Sequence, residues 1–208
     1  ARRLFTLAAV ICTIGTGLSV SAQTTEYSYV PYYSYIYDYN GYQVSTPHAY
    51  LPESMMDGAD IGAGALSFPS DIECGKDGSL YLSDTGNNRI LKLDSNKKLQ
   101  QVIDKIEAPS GINSFKSPEG LFVSEDYLYV ADTGNARVLK LTLDGKFVQE
   151  IGAPQTTLLG DEFLYEPKAL IADSIGNLFV VAKGVNMGLL RFDVNGDFVS
   201  FFAAQDAT

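Results

Sequence analysis

The sequence predicts an all-β chain built from a repeated four-stranded unit, and three observations carry that prediction. Prolines at 69, 118 and 167 recur 49 residues apart. Each is followed by short runs in which apolar and polar residues alternate with a period near 2, the signature of strands rather than helices. Gly, Asp and Asn separate these runs at the places where tight turns need them.

The elements follow in order within each unit. A first strand opens around the proline, at Phe68–Ile72, Ser117–Leu121 and Glu166–Leu170. A second, aromatic-containing strand reads Ser79–Ser83, Tyr127–Ala131 and Asn177–Val181. The third is Ile90–Leu93, Val138–Leu141 and Leu189–Phe192, and a fourth lies near Leu99–Ile103, Phe147–Ile151 and Phe198–Phe202. Four short strands per unit match a blade of a β-propeller. One blade cannot bury both of its faces, so neighbours must stack around an axis. The blades are expected at about 64–112, 113–161 and 162–208. Closed propellers have roughly four to eight blades, and this chain begins at Ala1 and ends at Thr208. It is therefore expected to be the N-terminal part of a longer protein, with half of an oligomeric ring as the other reading.

The first residues carry a different signal. Arg2 and Arg3 precede the apolar stretch Leu4–Leu18, and Val20-Ser21-Ala22 supplies the small residues of a cleavage site, the three-part layout of a secretory signal. The stretch falls short of the roughly 20 residues a membrane-spanning helix needs. Residues 1–22 are thus expected to be a signal peptide cleaved after Ala22, which places the mature chain outside the cytoplasm, secreted or on the outer face of the cell membrane. Any membrane association is expected through a C-terminal region beyond this sequence. Cleavage removes Cys12 and leaves Cys74, expected to be a small buried strand residue. The formal net charge of −10 argues against a nucleic-acid partner, since nothing would neutralise phosphates.

Residues 23–63 form a Tyr-rich arm and linker. Nine of the 13 tyrosines fall between 27 and 50. Tyr33, Tyr35, Tyr37 and Tyr39 recur at period 2 and would share one face of a strand. Asn40-Gly41 signals a hairpin, with Tyr42 and Val44 on its far side. Two roles suit the aromatic row: packing as part of an extended arm, or a platform for sugar rings or a partner protein.

The most specific pattern follows the second strand: Ser83-Asp84-Thr85-Gly86-Asn87-Asn88-Arg89-Ile90, and again Ala131-Asp132-Thr133-Gly134-Asn135-Ala136-Arg137-Val138. With the preceding proline and the following Leu-Lys-Leu, it resembles the NHL repeat over about residues 64–203. The Tyr-rich lead-in is similar to that of exported bacterial NHL-repeat proteins. The third unit departs from the pattern, reading Ala182-Lys183-Gly184-Val185-Asn186-Met187-Gly188, so its hairpin is expected to be rebuilt. The chemistry of Asp-Thr-Gly-Asn-x-Arg is first that of a turn: Asp bonds backbone N–H groups, Gly takes the left-handed position and Asn tolerates it. Arg89 and Arg137 would pair with a carboxylate of the same or the next blade. The competing role for Asp84, Asn88, Arg89, Asp132 and Arg137 is contact with a ligand at a propeller face.

The resemblance also brings enzymes into view. Gluconolactonase-like propellers hold a divalent metal with carboxylates and an Asn in the central channel. Here Glu119, after Pro118, stands at a blade entrance, with Asp71 and Lys168 read as its equivalents. Peptidyl-hydroxyglycine lyases use histidine zinc ligands, whereas this chain has one histidine, His48, outside the blades. Asp193-Val194-Asn195-Gly196-Asp197 lacks the Gly and Glu positions of a calcium loop and aligns with a plain strand-to-strand turn. The function expected is thus a non-catalytic binding scaffold for a protein, peptide or glycan. No cofactor is predicted, and the alternative is a metal-dependent gluconolactonase-like hydrolase using an ion such as calcium.

Overall fold

A computed structural model of the protein describes residues 33–47, 55–160 and 162–203. The leader, His48 and the last five residues lie outside them. The chain divides into two units, residues 1–55 and 56–208.

In the first unit, β1 (Tyr35–Tyr37) pairs antiparallel with β2 (Gln43–Ser45), Ile36 opposite Val44. The Asp38 carboxylate accepts the N–H groups of Asn40 and Tyr42, and Gly41 takes φ +83°, which is why Asn-Gly closes this hairpin. The strand is shorter than its tyrosine row. Tyr35 and Tyr37 share a face with their rings edge-on at 5.5 Å, while Tyr33 and Tyr39 fall outside β1, and all four are exposed.

The second unit is three four-stranded antiparallel blades of an incomplete β-propeller. Blade one comprises β3 (Pro69–Cys74), β4 (Leu80–Asp84), β5 (Arg89–Leu93) and β6 (Leu99–Ile103). Blade two comprises β7 (Pro118–Val123), β8 (Tyr127–Asp132), β9 (Arg137–Thr142) and β10 (Phe147–Ile151). Blade three comprises β11 (Pro167–Ala172), β12 (Leu178–Ala182), β13 (Leu189–Phe192) and β14 (Phe198–Phe202). Strands pair in chain order within every blade. Among the described residues no helix is long and apolar enough to cross a membrane.

The cores lie between blades. Tyr81, Ile90 and Ile103 of blade one pack with Leu121, Leu128 and Leu139 of blade two. Tyr129, Val138 and Ile151 of blade two pack with Leu170, Val180 and Phe192 of blade three. This explains why β8 reads as almost continuously apolar: both of its faces are buried. The first strands β3, β7 and β11 approach one another most directly. A Cβ on Gly120 would stand 2.5 Å from the Lys168 carbonyl oxygen and 2.8 Å from Ala169 Cα, so β7 and β11 pass at a distance only glycine allows. Cys74 departs from expectation. It is exposed at the end of β3, because it points to the side of blade one where no further blade stands among the described residues.

Candidate functional site

Register decides which residues meet at the rim. Pro69, Pro118 and Pro167 pair with Asp84, Asp132 and Ala182, so the start of each first strand and the turn after each second strand share one end of the blade.

The Asp of the repeated turn is fully buried in both blades. Asp84 Oδ1 accepts the Ser67 N–H at 2.7 Å, and its Oδ2 accepts from Asn87 Nδ2 at 2.8 Å and Arg89 Nε at 2.7 Å. Asp132 repeats the set with Lys116 N–H, Asn135 and Arg137 at 2.8, 2.9 and 2.8 Å. Each carboxylate therefore ties the loop before its blade to the turn after the second strand. Arg137 also reaches Glu150 at 3.1 Å and the Ile112 carbonyl, whereas Arg89 reaches the Ala63 carbonyl. The threonines tie the turn onward: Thr85 Oγ1 donates to the Pro118 carbonyl and Thr133 Oγ1 to the Pro167 carbonyl, both at 2.6 Å in the next blade.

The glycines of the motif do a different job from the one expected. Gly86 and Gly134 lie inside a single 3-10 turn, and the left-handed positions are Asn88 and Ala136, each at φ +54°. A Cβ at Gly86 would fall 2.3 Å from Ser67 Oγ, and one at Gly134 would fall 2.7 Å from the Lys116 carbonyl oxygen. Glycine is needed there because the incoming loop lies against the turn. Asn88 puts its own side chain to use, accepting the N–H of Ser117 from the next blade at 2.7 Å.

Burial by itself pushes the Asp84 carboxyl up, but the donors from Ser67, Asn87 and Arg89 prevail and hold it below the usual carboxylate range. A carboxyl depressed in the folded state stabilises fully above its unfolded pKa, near 3.9, and loses that contribution as pH falls through the folded value. Thermal melts taken downward from pH 5 are expected to show this acid loss, and Asp84→Asn is expected to flatten that part of the profile. An identical acid slope in the Asn variant refutes the assignment.

Beside the locks runs a chain of polar groups at the mouth lined by the first strands. Ser70 Oγ lies 2.6 Å from Thr85 Oγ1 and 2.9 Å from the Glu119 carbonyl oxygen. Glu119 pairs with Lys168 at 2.5 Å, and Glu166 lies between Lys168 at 4.0 Å and Lys183 at 3.2 Å. The register corrects one equivalence. Ser70, Glu119 and Lys168 follow the three prolines, while Asp71 sits one place on, past a bulge, and accepts the Leu121 N–H at 2.7 Å. Blade three rebuilds its turn with Gly184 at φ +80° and with Lys183 N–H donating to the Glu166 carbonyl. Ser70, Glu166 and Lys183 were not marked by any local motif, and Thr85 was marked only as part of the turn; the recurring position after proline is the signal that finds Ser70 beside Glu119 and Lys168. Among the described residues no three His, Cys, Asp or Glu side chains gather as a metal site would require. The Asp193 carboxylate accepts the N–H groups of Asn195 and Asp197, as a turn does.

No family model and no curated protein matches the chain. Similar solved structures include a catalytically inactive virginiamycin B lyase from Staphylococcus aureus with quinupristin, at 20% identity. It is aligned over 65% of this chain and 41% of that one, with a TM-score of 0.48. A streptogramin B lyase aligns at 19% identity over 81% and 47% of the two chains, with a TM-score of 0.48. Hydrazine synthase from Kuenenia stuttgartiensis aligns at 14% identity over 75% and 40%, with a TM-score of 0.51. The chain spans less than half the length of these proteins. At such identities the likeness concerns fold alone.

Proposed function

We propose that the chain belongs to an NHL-type repeat protein acting outside the cytoplasm as a non-catalytic binding scaffold, with the blade rim as its ligand surface. The observation that carries this reading is the polar chain from Ser70 through Glu119, Lys168 and Glu166 to Lys183, which crosses all three blades. Glu119 and Lys168 are partly exposed, and the packing of the blades is secured elsewhere, by the buried Asp locks and interblade cores. Alternating carboxylate and ammonium groups suit a polar peptide or glycan, whose own donors and acceptors exchange with those pairs at little desolvation cost. The repeated Asp-Thr-Gly-Asn-x-Arg turn supports the family assignment, and the leader at 1–22 supports export.

Glycan and peptide arrays probed with the exported protein, whose N-terminus is expected at Gln23, identify the ligand class. Titration of the strongest binder is then expected to weaken about tenfold, roughly 1.4 kcal/mol, in Glu119→Gln and Lys168→Met, with the melting temperature unchanged. Affinity indifferent to both substitutions overturns the rim as the site. Lactone hydrolysis that needs a divalent ion and disappears in Glu119→Gln overturns the scaffold in favour of the hydrolase.

A further inference from the structure

The two seams between blades are built alike, yet they differ at the end opposite the prolines. Between blades one and two, the Tyr81 hydroxyl and the Lys92 ammonium both donate to the Leu143 carbonyl, at 3.0 and 3.1 Å. Lys92 also faces the Asp144 carboxylate at 3.5 Å. Strand register puts Tyr129 and Lys140 at these places in blade two. The turn Asp193–Asp197 of blade three is closed by the same backbone bonds as Thr142–Lys146, so Val194 and Asn195 stand where Leu143 and Asp144 do. The charged partner is thus replaced by an amide, and the Val194 carbonyl is taken by Gln149 Nε2 at 3.4 Å. Lys140 lies instead over the ring of Tyr127, 4.1 Å from its centre, with the ring of Tyr129 at 5.6 Å.

At this end of the seam between blades two and three lies a cavity of about 440 Å³, within the range of about 300–1,000 Å³ that small-molecule sites occupy. Tyr129 lines it and is only 3% exposed, yet its hydroxyl has no hydrogen-bond partner among the described residues. It is a donor that the chain itself leaves unused. Burial, and then the nearby Tyr127 and Asp173, push the pKa of this hydroxyl up, so it stays protonated. Asp173 lines the same cavity from the β11–β12 turn. Its carboxylate is fixed there by the Asn177 side chain and by the N–H groups of Ile175 and Asn177. Phe122, tilted against Tyr129 with 6.1 Å between ring centres, adds an apolar wall.

We propose that this cavity binds a neutral sugar ring, with Tyr129 and Lys140 donating to its hydroxyl oxygens, Asp173 accepting from a hydroxyl, and Phe122 against its C–H face. The charges around the cavity select that class. Glu125, Asp126 and Asp173 outnumber Lys76 and Lys140, which opposes an anion. Lys140 already covers the face of Tyr127 where a ligand cation would sit. A hydroxyl both donates and accepts, so a sugar suits donors and acceptors placed side by side. Phe122 supplies the apolar contact that small-molecule sites combine with a few polar groups. Lys140 gives up no ion pair when it moves from the ring to a hydroxyl oxygen. The site is separate from the proposed rim, because Ser70, Glu119 and Lys168 lie at the proline end of the first strands.

Ligand-observed NMR titrations of the full chain with the methyl glycosides of glucose, galactose, mannose and N-acetylglucosamine are expected to show millimolar or tighter binding of at least one. Tyr129→Phe and Lys140→Met are each expected to weaken that binding about tenfold. The melting temperature of Tyr129→Phe should hold, because the lost hydroxyl bonds nothing. Tyr81→Phe is the control from the closed seam. It gives up the bond to the Leu143 carbonyl, so its melting temperature should fall while sugar binding is retained. Absence of binding by all four glycosides at about 10 mM overturns the proposal. Preference for glucuronate or choline over the neutral glycosides overturns the ligand class. Binding that survives both Tyr129→Phe and Lys140→Met overturns the cavity as its place, and its loss in Glu119→Gln then assigns the sugar to the rim.

Discussion

Asp132→Ala is expected to cost about 3–5 kcal/mol, the range for removing one partner of a buried ion pair. The size follows from what remains. Arg137 is almost wholly buried and would keep only Glu150 as a charge partner, while the Lys116 N–H and the Asn135 amide lose their acceptor. Taken as a turn lock alone, the same substitution would cost about 1–2 kcal/mol, the worth of a helix cap or one hydrogen bond; burial of the guanidinium makes the difference. At position 84 the penalty should be smaller, about 2 kcal/mol, because Arg89 is partly exposed and can turn to water. Asp132→Asn should fall between wild type and Ala, since an amide oxygen still accepts but carries no charge. Chemical denaturation of the three variants orders these effects. Equal losses at positions 84 and 132 contradict the role given to buried charge.

Gly120→Ala is expected to be strongly damaging for a single methyl, at about 3 kcal/mol. Its Cβ would meet the backbone of β11 at Lys168 and Ala169, and a strand packed on both sides cannot step back as a flexible side chain would. Gly152→Ala supplies the comparison, because no atom lies within 4 Å of its added Cβ. That substitution should be neutral or gain about 0.4–1 kcal/mol by restricting the unfolded chain. Melting curves of the two variants measured together decide the matter. A Gly120→Ala protein as stable as its Gly152→Ala counterpart shows that the first strands do not meet at the closeness described.

Most of the blade architecture was legible because each strand carries its own alternation and each turn its own chemistry. The 49-residue spacing of the prolines located the first strands, and their register with Asp84 and Asp132 bears this out. What escaped depends on residues far apart in the chain. Gly86 reads locally as a left-handed turn residue, but it is glycine because Ser67, 19 positions earlier, lies against it. Cys74 reads as a buried strand residue, yet its exposure is set by which blade stands beside β3. The pairing of Glu119 with Lys168 joins two first strands and depends on the bulge that follows each proline, which no local pattern announces. The tyrosine row shows the opposite limit. Its alternation was visible, but the turn at Asp38–Gly41 ends the strand before Tyr39 can join it.

The absence of an Asp lock from blade three has a consequence for the order in which the molecule opens. Among the described residues the main contacts of this unit run between successive strands and successive blades, so it behaves as an array in which each member leans on its neighbours. The middle blade is held from both sides and owns the more deeply buried ion pair. In blade three Ala182 stands where the other blades have their anchoring carboxylate. Partial opening should therefore begin in blade three, which lacks the lock, before it reaches the blades that keep theirs. That leaves Lys168 and Lys183 on the most yielding part of the rim and Ser70 on a blade that keeps its own anchor. A ligand gripping both would act as a clasp, and its binding would be felt most in the blade that lacks a lock.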